Sequence, residues 1–230
     1  MEPSSPLRVR AITPIRVDDA ELRRRRERYD ALAPPGITVH LDNLPADPDV
    51  PRQLDDADAI AASDAYVVEE AGRTDDAEFD AVLPDCVLDP GLDRLRAEGF
   101  GLPVIGITEL AATTTATVGG RTAAVARNTA IAEELERRFI KYGLADRFAG
   151  VHVLGLSFTD IADDAAWNSA LDEAARHLAG SGVTAILNGC SAVEVRGGTG
   201  IPVFDPTRAA LALLGAAHAS RLVPASGAER

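Results

Sequence analysis

Short apolar runs alternate with longer stretches of helical periodicity over most of the chain. The apolar runs predict strands at about residues 7–15, 37–41, 79–83, 102–107, 122–126, 151–156, 183–187 and 201–204. The periodic stretches predict helices over about residues 18–33, 59–71, 90–98, 128–142, 163–179 and from 206 onward. Because strands alternate with helices, we expect an α/β fold in which parallel sheet is flanked by helices.

The two halves of the chain repeat the same order of elements around one cysteine each. In both halves an apolar run leads to a cysteine, and a Leu/Ile-Pro-Val segment follows: Cys86 with 102–104, and Cys190 with 201–203. An ordinary α/β repeat explains the strands but not a cysteine at the same place twice. The pattern therefore predicts two pseudo-symmetric lobes, each presenting one thiol at the carboxyl end of a strand, where open α/β sheets bind ligands.

The repeat also predicts where the lobes begin and end. We expect the first lobe to comprise about residues 7–110 and 205–220, and the second lobe about 111–204, with the active site in the cleft between them. Residues 1–6 are expected to form a disordered start, and residues 221–230 a tail.

Two facing thiols suit the inversion of a carbon acid. Inversion needs a base on one face of the carbon and an acid on the other, and a matched pair supplies both without moving. The pKa of a free thiol, about 8.5, lies near working pH and responds to local dipoles. Helix N-termini expected at Asp89-Pro90 and near Ser191 would direct N–H groups to the same point, where they stabilise a thiolate and an enolate-like oxygen.

Composition and charge narrow the classes of partner. The 230 residues include 23 Lys and Arg and 36 Asp and Glu, a formal charge of −13 that repels phosphate backbones and anionic lipid. We therefore expect neither nucleic acid nor membrane as a partner, and we interpret the run Arg23 to Arg26, set among acidic residues, as a solvated helix face. No signal-peptide pattern or membrane-spanning run is found, so we expect a cytoplasmic protein. The cysteine and histidine spacings match no metal motif.

The segments around both cysteines resemble the aspartate/glutamate racemase superfamily, most closely its hydantoin racemase branch. The resemblance covers roughly residues 7–220 and is carried by Asp85-Cys86, 89–92, 102–106, 139–144, 188–191 and 201–205. It implies a cofactor-independent racemase or epimerase, with Cys86 and Cys190 as the acid/base pair. It also implies a small-molecule substrate with a carbon acid α to a carbonyl, such as a 5-substituted hydantoin or an amino-acid-like compound, and a homo-oligomer.

The resemblance further implies which groups hold the substrate. Its oxygens would be bound by the backbone N–H groups of Val87 and Ser191 and by the loop after the first strand, at Thr13 and Pro14. That loop departs from the Asn-Pro-Asn type segment usual in the family, since both amide side chains are missing.

Two other positions bear on the substrate. Arg127, which follows the strand at 122–126, favours an anionic substrate if it faces the pocket, and is otherwise a solvated helix-start residue. The second cysteine is followed by Ser191-Ala192 where glutamate racemases have Thr-His, which argues against free glutamate.

Other functions on the same scaffold remain open. A decarboxylase resembling arylmalonate decarboxylase needs one thiol as proton donor, and a maleate-type cis–trans isomerase uses one thiol as nucleophile. A ligand-binding relative that keeps the fold without the chemistry is a third possibility. Both cysteines favour racemisation over decarboxylation, but they discriminate less well against the isomerase.

Overall fold

The computed structural model describes residues 5–117, 120–196 and 200–223, so residues 1–4 of the expected start and 224–230 of the expected tail lie outside it.

The first sheet lies in the amino-terminal half of the chain. Its strands run parallel in the order β2-β1-β3: β1 (Leu7–Ile12), β2 (Ile37–Asp42) and β3 (Ala81–Pro84). A single bridge between Val82 and Val104 extends this sheet beyond β3. The strand predicted at 102–107 is reduced to that bridge, because Pro103 has no N–H for a sheet ladder and a helix begins at Ile107.

The second sheet has the same arrangement. Its parallel strands, in the order β5-β4-β6-β7, are β4 (Thr122–Ala126), β5 (Phe148–Val153), β6 (Ala185–Leu187) and β7 (Val203–Phe204). Val82 N–H donates to the Pro103 carbonyl at 2.9 Å in the first sheet, and Ile186 N–H donates to the Pro202 carbonyl at 2.9 Å in the second. The same hydrogen bond thus holds the Pro-Val segment beside the cysteine-bearing strand in each half. The predicted internal repeat and the two-lobed α/β fold are confirmed.

Seven α-helices connect and cover these sheets within the described ranges. They are α1 (Asp19–Leu32), α2 (Ala57–Ala71), α3 (Leu92–Ala97), α4 (Ile107–Thr117), α5 (Thr129–Lys141), α6 (Asp164–Leu178) and α7 (Pro206–Ala219). Two short 3₁₀ turns lie at Ala145–Arg147 and Thr159–Ala162. Asp or Asn side chains accept backbone N–H groups at the starts of α1, α2, α5, α6 and α7. None of these helices is long and apolar enough to span a membrane.

Two helices join the lobes. The helix α7 is the last described element of the chain, yet it packs Leu211 and Leu214 into the cluster that contains Leu7 and Val9 of β1. The helix α4 begins in that same cluster and then packs Ala112 into a second cluster with residues of β4 and β6. The expected lobe boundaries stay a prediction.

The expected helix N-termini at the cleft are not present. The helix α3 begins at Leu92 after Gly91, which has a φ of +73°, and Asp89 does not cap it. The Asp89 carboxylate accepts the N–H groups of Thr108 and Glu109, both at 3.0 Å, so it caps α4 instead. The second expected start is wrong as well, because Ser191 lies in a turn. The N–H groups near the two cysteines therefore come from turns rather than helix ends.

Candidate active site

Both cysteines line one cavity between the two lobes. Cys86 follows β3 and Cys190 follows β6, so each stands at the carboxyl end of its strand. The cavity encloses about 480 Å³ including its open mouth, and both lobes contribute to its wall. The prediction that the repeat brings two thiols to one cleft is therefore met by their positions.

The two thiols have matching environments but different charges beside them. Cys86 is buried, and burial raises the pKa of its thiol to about 12, opposed by the N–H of Leu88, which donates to its sulfur at 3.4 Å. Burial also raises the pKa of the Cys190 thiol, opposed first by the positive charge of Arg25 and then by the N–H of Ala192. In both loops the opposing N–H belongs to the residue two positions after the cysteine. Of the two thiols, only Cys190 has an arginine among the causes that lower its pKa.

Arg25 is a member of the cavity wall that the sequence interpretation missed. Its side chain is buried, and it forms ion pairs with Glu21 at 2.7 Å and with Asp85 at 3.1 Å. Tyr29, one turn further along α1, donates its hydroxyl to the other Asp85 oxygen at 2.8 Å. The solvated-face interpretation of the arginine run is therefore wrong for Arg25. The sequence does contain a signal that Arg25 is buried, because Arg25 lies on the same helical face as Leu22 and Tyr29, which pack into the core.

The loop that carries Cys190 is held in place from several sides. Asn188 donates its amide to the Cys190 carbonyl at 2.8 Å and accepts the indole N–H of Trp167 at 3.0 Å. A Cβ on Gly189 would lie 1.8 Å from the carbonyl oxygen of Val125, so only glycine allows this close approach to β4. The position of the second thiol is thus fixed by buried polar bonds and by backbone contact.

Arginines of the first lobe also form hydrogen bonds with the Cys190 loop. Arg28 donates to the Ser191 carbonyl at 3.0 Å, and Arg24 donates to the Ala192 carbonyl at 2.8 Å. The Ser191 hydroxyl donates to the Asp85 carbonyl at 3.1 Å, directly before Cys86. These bonds join the two cysteine loops across the cleft.

The predicted backbone donors are placed at the cavity. Val87 and Ser191 both line it, one beside each cysteine. Within the described part of the chain, neither N–H group has a hydrogen-bond acceptor. Both donors are therefore free to bind an oxygen of a ligand.

Of the two residues predicted to hold the substrate in the loop after β1, only Pro14 lines the cavity. Pro14 lines the cavity, and its carbonyl accepts the Ser63 hydroxyl at 2.6 Å. Thr13 is fully buried, and its hydroxyl donates to Asn43 Oδ1 at 3.2 Å and accepts the N–H of Leu44 at 3.1 Å. Thr13 does not belong to the cavity wall, so we assign its hydroxyl to shaping this loop rather than to a substrate contact.

Arg127 faces the cavity and already has a carboxylate partner. Its guanidinium forms an ion pair with Asp55 and lies 5.8 Å from the ring centre of Phe158. Its Nε is buried and has no hydrogen-bond partner among the described residues. The interpretation of Arg127 as a solvated helix-start residue is therefore wrong, although its charge is compensated by an acid that the sequence did not single out.

Most of the remaining wall is apolar, and sequence reasoning named none of it. These side chains come from the loop before α2, from α5, and from the segment after β5: Leu54, Ile131, Phe158 and Ile161. No sequence signal separates such residues from ordinary core positions, because they differ only in which surface they face. No cluster of three or more potential metal ligands is found in the described ranges.

Asp89 forms a second polar link between the lobes. It is fully buried, and Tyr142, at the end of α5, donates its hydroxyl to it at 2.7 Å. Burial raises the pKa of Asp89 to about 6, opposed by the hydrogen bonds from Tyr142, Thr108 and Glu109. The carboxylate thus sits just after the Cys86 loop and ties it to the second lobe.

Comparisons with known proteins agree with this architecture. A model of the Asp/Glu/hydantoin racemase family matches residues 21–214. The allantoin racemase of Pseudomonas fluorescens is 22% identical with a TM-score of 0.78, and the match covers 97% of this chain and 95% of that one. The allantoin racemase of Klebsiella pneumoniae is 22% identical with a TM-score of 0.76, and the match covers 96% of this chain and 90% of that one. A maleate isomerase of Pseudomonas putida is 18% identical with a TM-score of 0.59, and the match covers 92% of this chain and 93% of that one. A search of curated sequences gave no significant match.

Proposed function

Because the chain belongs to the Asp/Glu/hydantoin racemase family, we propose that it racemises a 5-substituted hydantoin or an amino-acid-like carbon acid without a cofactor. The family assignment makes the protein an isomerase, and the proposal adds the chemistry and the substrate. The single observation that carries it is the placement of Cys86 and Cys190 in one cavity at equivalent points of two similar lobes.

The proposed reaction transfers one proton to the substrate carbon and one away from it. A thiolate on one face removes the proton from the carbon next to the carbonyl, and the electron pair of that C–H bond moves into the carbonyl group as an enolate. The thiol on the other face then delivers its proton to the same carbon as the carbonyl re-forms. Each turnover exchanges the roles of the two sulfurs, so the reverse reaction uses the same groups in the opposite order.

The free N–H groups of Val87 and Ser191 suit the enolate oxygen. They flank the two cysteines and have no acceptor within the described chain. Donors fixed in advance at a developing negative charge lower the barrier, since no solvent has to reorganise around them. Removal of one such donor typically costs about 10²–10³ in rate.

The charged residues near each thiol favour one cysteine as the base and the other as the acid at the start of the reaction. Cys86 is buried beside the acids Asp85 and Asp89, and burial and these charges favour its neutral thiol. Cys190 has Arg25 as a neighbour, which favours its thiolate relative to Cys86. We therefore propose that Cys190 is the base and Cys86 the acid in the resting enzyme.

The same site offers a second candidate. A maleate-type isomerisation or a decarboxylation also uses a thiol in this scaffold, and solved structures of both kinds share the fold, with TM-scores of 0.59. The equivalence of the two cysteine loops favours racemisation, because a decarboxylase needs only one proton donor.

A panel of substrates tests the function. Enantiopure 5-substituted hydantoins, amino acids and small diacids are incubated with the protein in deuterated water, and optical rotation and deuterium at the carbon acid are followed. We expect loss of rotation and deuterium uptake with a hydantoin. Fumarate from maleate, or CO₂ from a malonate, would instead favour the second candidate.

The resemblance also supports a homo-oligomer, which we include in the proposal. Sedimentation of the purified protein measures its mass directly. A single species of 24.1 kDa would contradict this part of the proposal and leave the chemistry unaffected.

A further inference from the structure

Arg127, in the cavity wall, is neutralised by a carboxylate of the other lobe. Arg127 Nη2 pairs with Asp55 Oδ1, and Asn128 donates its amide to that same oxygen at 3.1 Å. Both donors follow β4 in the second lobe, whereas Asp55 lies in the loop between β2 and α2 of the first. The Asp55 side chain is 41% exposed, while that of Arg127 is 5% exposed. A partly solvated carboxylate therefore holds a buried guanidinium.

The charges of the cavity wall leave no positive charge uncompensated. Arg25 is paired with two carboxylates, Glu21 and Asp85, and Arg127 is paired with Asp55. These two arginines are the cations among the wall residues described by the structure. A thiolate in the same cavity adds a further negative charge. The paired guanidinium groups therefore do not attract an anionic ligand as free charges would, and the thiolate repels it.

The hydrogen bonds of the Arg127 side chain are all made by one of its nitrogens. Within the described chain Nη2 donates to Asp55 and to the carbonyl of Leu54, and the buried Nε has no acceptor. Because Nε is buried, we infer that Arg127 acts on a ligand in the cavity through its charge, and Asp55 compensates that charge.

We propose that Asp55, acting through Arg127, is a positioning residue that makes the cavity select neutral over anionic substrates. The inference rests on the proposed function, since it concerns what the same site accepts. Asp55 cancels the charge of Arg127, so the guanidinium gives an anionic substrate no net attraction. Without the carboxylate, the same guanidinium would act as a charged clamp for a substrate carboxylate.

The test uses two ligands that differ only in charge: 5-(carboxymethyl)hydantoin and its amide, 5-(carbamoylmethyl)hydantoin. Their dissociation constants are measured by titration calorimetry with the wild type, with Asp55→Asn and with Asp49→Asn. Asparagine keeps the size of Asp55 and an acceptor oxygen for Arg127. Asp49 lies exposed in the same loop, so its variant carries the same change of net charge as a control.

We expect the wild type to bind the amide more tightly, and Asp55→Asn to shift the ratio of the two constants toward the carboxylate by about tenfold. Asp49→Asn should leave the ratio unchanged. A purely structural role of Asp55 would weaken both ligands together and would not improve binding of the acid. An unchanged ratio in Asp55→Asn, an equal shift in Asp49→Asn, or no binding of either ligand overturns the inference.

Racemisation of the amide is measured as well, so that failure of the selectivity and failure of the proposed function can be told apart. If the ratio shifts but no variant racemises any compound, the function fails while the selectivity stands. If racemisation occurs and the ratio does not move, Asp55 has no such role although the function holds.

Discussion

The guanidinium of Arg25 lies 3.1 Å from the carboxylate of Asp85, the residue directly before Cys86. The same arginine is the largest opposing influence on the burial-raised pKa of Cys190. Asp85 raises the pKa values of both thiols, whereas Arg25 lowers only that of Cys190. The two lobes repeat each other in backbone, but this pair makes their cysteines electrostatically unequal.

Substitution of Arg25 should move the pH profile of the reaction. In Arg25→Gln the Cys190 thiol loses the charge that lowers its pKa, so the rising limb of kcat/KM should move to higher pH. The activity at pH 7 should fall by roughly tenfold for each pH unit by which the limb moves. Arg25→Lys keeps the charge and should move the limb much less.

Two controls accompany this prediction. Arg23→Gln makes the same charge change at an exposed position of α1 and should leave the profile in place. Unfolding by urea tests whether Arg25→Gln folds, because unpaired buried carboxylates cost about 3–5 kcal/mol. If Arg25→Lys and Arg25→Gln move the limb equally, the charge of Arg25 does not set the pKa of Cys190.

Asp89 should make stability depend on pH between about 4 and 6. Its folded pKa of about 6 lies above the ordinary aspartate value of 3.8, so the folded state holds its proton more tightly than the unfolded state. The free energy of unfolding of the wild type, relative to Asp89→Asn, should be highest below pH 4. It should then fall by up to about 1.4 kcal/mol per pH unit until pH exceeds about 6.

Urea unfolding of both proteins from pH 4 to 7 measures this difference. Asparagine suits the position, because Asp89 has a φ of +45° and Asn is among the residues that tolerate that region. A relative stability that rises with pH would mean that ion pairing, not burial, controls this carboxylate.

Gly189→Ala should disturb both stability and activity. The added Cβ would lie 1.8 Å from the carbonyl oxygen of Val125, a backbone atom of β4 that cannot move aside as a flexible side chain could. We expect a loss of at least about 2 kcal/mol in the free energy of unfolding, with a large loss of activity as the neighbouring Cys190 moves. Gly101→Ala, where no heavy atom lies within 4 Å, should change neither. A Gly189→Ala protein as stable as Gly101→Ala would contradict the close approach of this loop to β4.

Much of the fold followed from the sequence because its signals are local. Apolar runs, N-cap residues and the repeated cysteine were enough to predict two parallel sheets and two thiols at one cleft. The same local logic failed at Asp89, where the Asp-Pro pattern predicts a cap for the helix that follows. The carboxylate instead caps α4, which starts 18 residues later in the chain.

The charged groups of the site were harder to predict, because their partners are distant in sequence. Arg25 stands in a run of arginines that favours a solvated face, yet it finds Asp85 just after a strand, 60 residues away. Arg127 pairs with Asp55 at a separation of 72 residues, across the two lobes. Such pairs depend on how the lobes meet, which no local pattern encodes.

Deuterium exchange by the single-cysteine variants tests the two-cysteine mechanism most directly. Each enantiomer of a substrate hydantoin is incubated in deuterated water with Cys86→Ser or Cys190→Ser, and deuterium uptake and loss of optical rotation are followed separately. We predict that racemisation falls by at least about 10³-fold in both variants. Exchange should survive for one enantiomer in one variant and for the opposite enantiomer in the other. Racemisation at the wild-type rate in either variant would contradict the two-cysteine mechanism.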